Sequence, residues 1–281
     1  MLLSRTLCFC VLAGACLAQS PEELRTILRE SLDKVQKADQ QMGDYAYQRY
    51  NVRREFNTNG SVKAERTVLA RHGFEDGYGF MQQVQRDGKS VPDAEQKLIQ
   101  DAARARAAQL RSMSPAERAQ AEPQTRSRAP EHSFLKEFPD ALDYKKVGEE
   151  TIDGRRTLVL ECTPRPGYTA TNMRARVFEK VRGKVWIDAA QSEIVRVDAE
   201  VFETVTIGWG MIGKVQKGTR FHLERRRLPD GNWLPESQSI RFSARILVFK
   251  TLAQEEITRY SEYRHKSTVT ALDRLGTQRQ N

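Results

Sequence analysis

Four histidines, His72, His132, His222 and His265, are the first candidates for proton transfer or metal ligation. None stands with another histidine or a cysteine at the spacing a zinc or transition-metal site needs, and no metal site is predicted. There is no Gly-x-Ser-x-Gly elbow and no phosphate-binding P-loop. Carboxylates are plentiful, but no pair is set apart for acid and base roles. Gly208-Trp209-Gly210-Met211-Ile212-Gly213 does match G-x-G-x-x-G, with Asp230 at about the distance of a ribose-binding acid. A dinucleotide site needs that loop between a strand and a helix, so that the pyrophosphate meets a helix N-terminus. Lys214 to Arg227 reads instead as turn and strand, which rejects a nucleotide. Cys162 is a thiol, but it alternates with Leu158 and Leu160 and reads as a small buried residue. The chain is therefore read as non-enzymatic, with no catalytic residue and no cofactor.

The elements that would position any site are mostly strands. Ser20-Pro21-Glu22-Glu23 has the pattern of a helix start, with a capping Ser, a first-turn Pro and a Glu to close a capping box. Leu24, Ile27, Leu28, Leu32 and Val35 then recur every three or four residues, predicting an amphipathic helix to about Gln41. Tyr45 to Phe56, Asn59-Gly60, and Val62 to His72 read as a hairpin, with Tyr78 to Gln85 a third strand. Asp93 to Gln120 is rich in Ala, Gln, Arg and Glu and reads as helix broken near Ser114-Pro115. Ala121 to His132 reads as a flexible connection.

Beyond Phe134 strands dominate: Tyr144 to Ile152, Arg155 to Cys162 after Asp153-Gly154, Lys184 to Asp188, and Glu193 to Thr206. Lys217 to Leu228 and Trp233 to Lys250 flank the turn Pro229-Asp230-Gly231-Asn232, and Glu255 to Tyr263 is a last strand. About ten strands with short connections predict a mainly antiparallel sheet in a mainly β (α+β) fold. Several strands alternate. Ile240, Phe242, Ala244, Ile246 and Val248 oppose Arg241, Ser243 and Arg245. Val195, Val197, Ala199 and Val201 oppose Arg196, Asp198 and Glu200. One side of the sheet should be apolar and covered by helices, the other solvated.

The N-terminus points to export. Arg5 precedes an apolar and small-residue run, Thr6 to Ala18, too short to span a membrane and suited to a signal peptide over residues 1–18. Cleavage before Gln19 competes with a lipobox-like Ala13-Gly14-Ala15-Cys16, which would acylate Cys16 and anchor the protein to the outer membrane. Cys8, Cys10 and Cys16 fall in this segment, leaving Cys162 alone, so no internal disulfide framework is expected. The domain proper is expected over 19–265, with a helical insertion at 93–132 and a disordered tail at 266–281. The net charge is +9, and the signal segment contributes only Arg5 to it. Export excludes nucleic acid as the partner. The basic balance fits a charged surface, an acidic partner or an anionic membrane surface.

Gly183-Lys184-Val185-Trp186-Ile187-Asp188, followed by Glu193-Ile194-Val195-Arg196-Val197-Asp198-Ala199-Glu200, resembles the periplasmic outer-membrane lipoprotein carrier superfamily (LolA/LolB-like lipoprotein-sorting proteins). Asp153-Gly154-Arg155 and Gly231-Asn232-Trp233-Leu234-Pro235 look like that group too. The likeness spans roughly Tyr144 to Tyr263. It implies a curved antiparallel sheet forming an unclosed β-barrel covered by helices. It also implies a periplasmic carrier of lipid or acylated lipoprotein, holding acyl chains in an apolar cavity on the concave face. Leu158, Leu160, Val197, Ala199, Val201, Phe242, Ile246 and Val248 would line that cavity. Trp209, Met211 and Ile212, in a glycine-rich connection, would sit near its mouth. The alternative on the same fold is a non-enzymatic envelope sensor or protein-interaction module, tethered through Cys16.

Overall fold

The computed structural model describes residues 20–121, 133–206, 214–246 and 250–269. Helix α1 (Pro21–Gln41) begins on the capping box that its sequence predicts. The Ser20 amide donates to Glu23 Oε2 at 2.7 Å, and the Glu23 amide donates to Ser20 Oγ at 3.3 Å. These bonds satisfy two of the donors a helix start leaves open. Leu24, Leu28, Ser31 and Ala38 form the buried stripe.

The strands are β1 (Tyr45–Phe56), β2 (Val62–Glu75), β3 (Tyr78–Arg86), β4 (Lys89–Ser90), β5 (Leu142–Ile152), β6 (Arg155–Pro164), β7 (Val181–Asp188), β8 (Ile194–Val201), β9 (Val205–Thr206), β10 (Lys214–Val215), β11 (Arg220–Arg227), β12 (Trp233–Ile246) and β13 (Lys250–His265). They form one sheet in the order β4-β3-β2-β1-β13-β12-β11-β8-β7-β6-β5, with β10 pairing β12 and β9 pairing β10 off that path. Each of these pairs is antiparallel, and the path ends at β4 and β5, so the sheet is a curved half-barrel that does not close. Short turns make this order possible. Asp153 and Gly154 have φ of 49° and 73°. Two successive positive φ angles define the primed hairpin turn that matches strand twist, and glycine takes the second position without strain.

Several boundaries differ from the sequence expectation: the strand read over Glu193 to Thr206 is split into β8 and β9, and those read from Tyr144 and Lys184 begin at Leu142 and Val181. The strand expected to begin at Lys217 begins at Arg220, because Gly218 at φ 86° turns the chain first. The last hairpin lies earlier than expected: β12 ends at Ile246 and β13 starts at Lys250, and these two residues pair. No Gly, Pro, Asn or Asp marks that place, which is why the turn signals miss it.

The helices cover opposite ends of the sheet. Helix α1 and the short helix α4 (Phe138–Ala141) pack over β5 to β8. Helix α2 (Asp93–Ser112) packs on β3 and β2, and α3 (Pro115–Ala121) follows the break at Ser114. Ala107 and Leu110 are the buried residues of α2. Its flank is polar: Gln82 Nε2 donates to Gln96 Oε1 at 3.3 Å and Arg111 pairs with Asp76 at 3.1 Å.

Candidate functional site

The main apolar surface is built by α1 and four strands. Leu24 and Leu28 pack in one cluster with Leu158, Leu160, Cys162, Phe178, Val185, Ile187 and Ile194. The rim of α1 is polar. Arg25 pairs with Asp143 at 2.7 Å, Ser31 Oγ donates to the Ser192 carbonyl at 2.7 Å, and Lys34 Nζ donates to the Gln191 carbonyl at 2.5 Å.

Register carries this surface beyond the helix. Residues directly opposite one another on adjacent strands share a face. One row runs Cys162–Gly183–Ala199–Phe221–Ile240, and the next runs Leu160–Val185–Val197–Leu223–Gln238. Leu160 and Val201 are fully buried and Leu158 nearly so. Val197 and Ala199 are half-buried against the same cluster. Phe221, Leu223, Ile240 and Phe242 are also half-buried. Past β12 the rows turn polar: Ile240 faces Glu256, which faces Arg53, and Gln238 faces Thr258, which faces Asn51. The apolar strip therefore stops at β12, and this side of the sheet is not apolar throughout, as strand alternation had suggested.

Of the sequence-predicted residues, Leu158, Leu160, Val197, Ala199, Val201 and Phe242 share this side. Ile246 closes the same strand, β12. Trp209, Met211, Ile212, Val248 and Cys16 lie outside the described residues. Phe221 and Leu223 extend the strip and were missed; their alternation with His222 and Glu224 was the available signal.

The opposite side also departs from expectation. Val159, Trp186, Val195 and Trp233 form a second buried cluster there. Beside it lies the clamp made by the motif residues. Asp188, almost fully buried, receives Arg155 Nε at 2.6 Å and Nη2 at 2.9 Å, with the Gln191 amide at 2.7 Å. The Arg155 guanidinium carbon stands 5.8 Å from the centre of the Trp233 ring, and Trp233 Nε1 donates to Gln191 Oε1 at 3.0 Å. Gly183 permits close approach of β7 and β8, since a Cβ there would stand 2.1 Å from the Asp198 carbonyl oxygen.

Farther along this side is a cavity of about 520 Å³, lined by polar and charged side chains including Lys184, Asp198, Arg220, His222, Ser239 and Arg241. His222 stands opposite Asp198 on one neighbouring strand and Ser239 on the other. Its Nδ1 is 2.6 Å from Asp198 Oδ1, while its Nε2 is 3.6 Å from Glu224 Oε2. The residue types are those of a nucleophilic triad, but the Ser239 hydroxyl has no hydrogen-bond partner among the described residues. The base is not joined to a nucleophile, as that chemistry requires. Burial pushes the Cys162 thiol up to about 12, with Glu161 adding to the shift, so it carries little thiolate. Among the described residues no group of three or more His, Cys, Asp or Glu could hold a metal ion, and no helix is long and apolar enough to cross a membrane.

No protein-family model and no curated protein matches the chain. Solved structures do. A DUF1329 family protein from Desulfovibrio piger is 14% identical, with 90% of this chain and 96% of that one covered and a TM-score of 0.32. A putative outer membrane lipoprotein-sorting protein domain from Vibrio parahaemolyticus is 11% identical over 87% and 95% of the chains, with a TM-score of 0.34. A LolA superfamily protein from Nitrosomonas europaea is 12% identical over 87% and 96%, with a TM-score of 0.28. These are similarities of fold.

Proposed function

We propose that this chain is an exported, non-enzymatic protein of the cell envelope that binds the acyl chains of a lipid or lipoprotein on the α1 side of its sheet. The observation that carries this reading is the half-buried apolar strip of Val197, Ala199, Phe221, Leu223, Ile240 and Phe242. It continues a packed core without a break, and each CH₂ laid on it would gain roughly 0.8 kcal/mol. The signal-like segment and the carrier-like motifs of the sequence agree with it. The test is native mass spectrometry of the mature protein, with lipid extraction of the same sample. We expect a co-purifying acyl lipid, and we expect Ile240→Glu to lose it while the fold is kept. A clean apo mass, with no uptake of a fluorescent fatty acid, would sink the proposal.

One observation favours a second reading. Over β5 to β8 the apolar face is already filled by α1, with Leu28 and Leu160 at 0% exposure. An envelope sensor or interaction module would keep that core closed and use its rim. The same spectrum separates the two, since a module of this kind would carry no lipid.

A further inference from the structure

The cavity on the side of the sheet away from α1 contains a departure from charge pairing. One row of opposed residues across the strands runs Arg182–Glu200–Arg220–Arg241–Glu255–Arg54–Glu65. Signs alternate along it except at Arg220 and Arg241, which stand directly opposite each other. Like charges in that position destabilise a sheet; Arg53 and Arg66 oppose each other in the same way on β1 and β2, but it is the Arg220–Arg241 pair that lines the cavity.

The local ion pairs leave these two cations largely unmet. Arg220 has one carboxylate, Glu200, at 3.7 Å, and shares it with Arg182 at 3.3 Å. Among the described residues Arg241 reaches no carboxylate: Glu255 is taken by Arg54 at 3.0 Å. Its guanidinium carbon lies instead 4.7 Å from the centre of the Phe56 ring. Stacking of that kind fixes the plane of a guanidinium while leaving its N–H edge open. Lys184, in the same cavity, makes no ion pair among the described residues, and the Ser239 hydroxyl is an open donor there. Among the cavity's carboxylates Asp198 is engaged by His222, Glu200 and Glu255 by arginines, and Glu161 stands across from Lys184.

We infer that this cavity is an anion site that receives a phosphate group between Arg220 and Arg241. A planar, pre-stacked arginine facing a second one is the geometry that binds phosphate oxygens through paired N–H donors. A bound dianion would turn the repulsion of the pair into attraction. The site lies on the other side of the sheet from the acyl strip, so it stands or falls apart from the proposed function. A phosphate could reach it as a soluble ester or as an anionic lipid headgroup.

The test uses the full exported chain with inorganic phosphate, glycerol 3-phosphate, and phosphatidylglycerol vesicles beside phosphatidylcholine vesicles. Calorimetry should show saturable binding of a phosphate probe. Arg241→Glu should weaken it about tenfold or more, as loss of a charged hydrogen-bond pair does. The same substitution removes the repulsion from Arg220 and adds one from Glu255, which Arg54 already neutralises, so the melting temperature should hold. Loss of affinity without loss of stability is a signature that a purely structural arginine would not give. Binding to phosphatidylglycerol vesicles that glycerol 3-phosphate displaces would identify a headgroup. Phosphate binding without vesicle binding would identify a soluble ester. No saturable binding by any of these probes, or affinity unchanged in Arg241→Glu, would overturn the inference.

Discussion

Asp188 shows how much one residue can hold together. Burial by itself raises its carboxyl, but Arg155 and the Gln191 and Ala190 amides outweigh burial and hold it below the ordinary carboxylate value. A carboxyl lowered in the folded state adds stability that is present above its unfolded value of about 3.9 and lost as pH falls through the lower folded value. Asp188→Asn leaves Arg155 beside a neutral partner in a site with 1% exposure on the acid side. Arg155 is 30% exposed, so water takes up part of its freed charge, and the loss should be about 1–3 kcal/mol, the cost of leaving hydrogen-bonded partners unmet. Urea unfolding at pH 7 should show that loss, and the gap to the wild type should narrow below pH of about 4. A gap constant with pH would mean that packing, not charge, is what Asp188 supplies.

At the scale of elements, α1 joins local and distant information. Its capping box and apolar spacing are legible from the chain alone, and so is the sheet, because strand alternation and Asp-Gly turns are local signals. What α1 covers is not local. Leu28 meets residues from β5 to β8 through a register that no single strand encodes, and the end of the apolar strip at β12 depends on Glu256 and Thr258 of a strand read separately. The carrier-like motifs were visible, but their physical role was not. Gly183, Trp186, Asp188, Arg155 and Trp233 prove to be a close approach, a second cluster and a clamp, all supporting the sheet. The cavity was missed because its residues are ordinary charged positions in their own strands and become a site only when Arg220 faces Arg241. We expect Leu28→Ala to cost about 3 kcal/mol and Ser20→Ala about 1 kcal/mol in denaturant unfolding. A smaller loss for Leu28 than for Ser20 would show that α1 lies loosely on the sheet.

The whole molecule is unevenly supported. The largest cluster takes in α1 and β5 to β8, where Leu28, Leu160, Ala175 and Ile187 have no exposure. Across β1, β2 and β13 a smaller cluster of Tyr45, Tyr47, His72 and Tyr263 packs at one end of the strands, and the rest carries charge ladders, Arg54 with Glu65 and Glu255, Arg53 with Glu256 and Lys63 with Glu55. Pairs this exposed contribute about 0–1 kcal/mol each, far less than a buried leucine. Only Ala70 of β2 is buried. The two ends share every intervening strand, so they need not unfold separately, but local opening should be easier where apolar contacts are few. Native-state hydrogen exchange should find the amides of β6 and β7 the slowest, and those of β2 and β3 faster at the same pH. Added salt should widen the difference, because it screens the ladders and leaves the apolar cluster intact. Equal protection across the sheet at both salt concentrations would mean that the backbone ladder, not the side chains, sets the stability of this half-barrel.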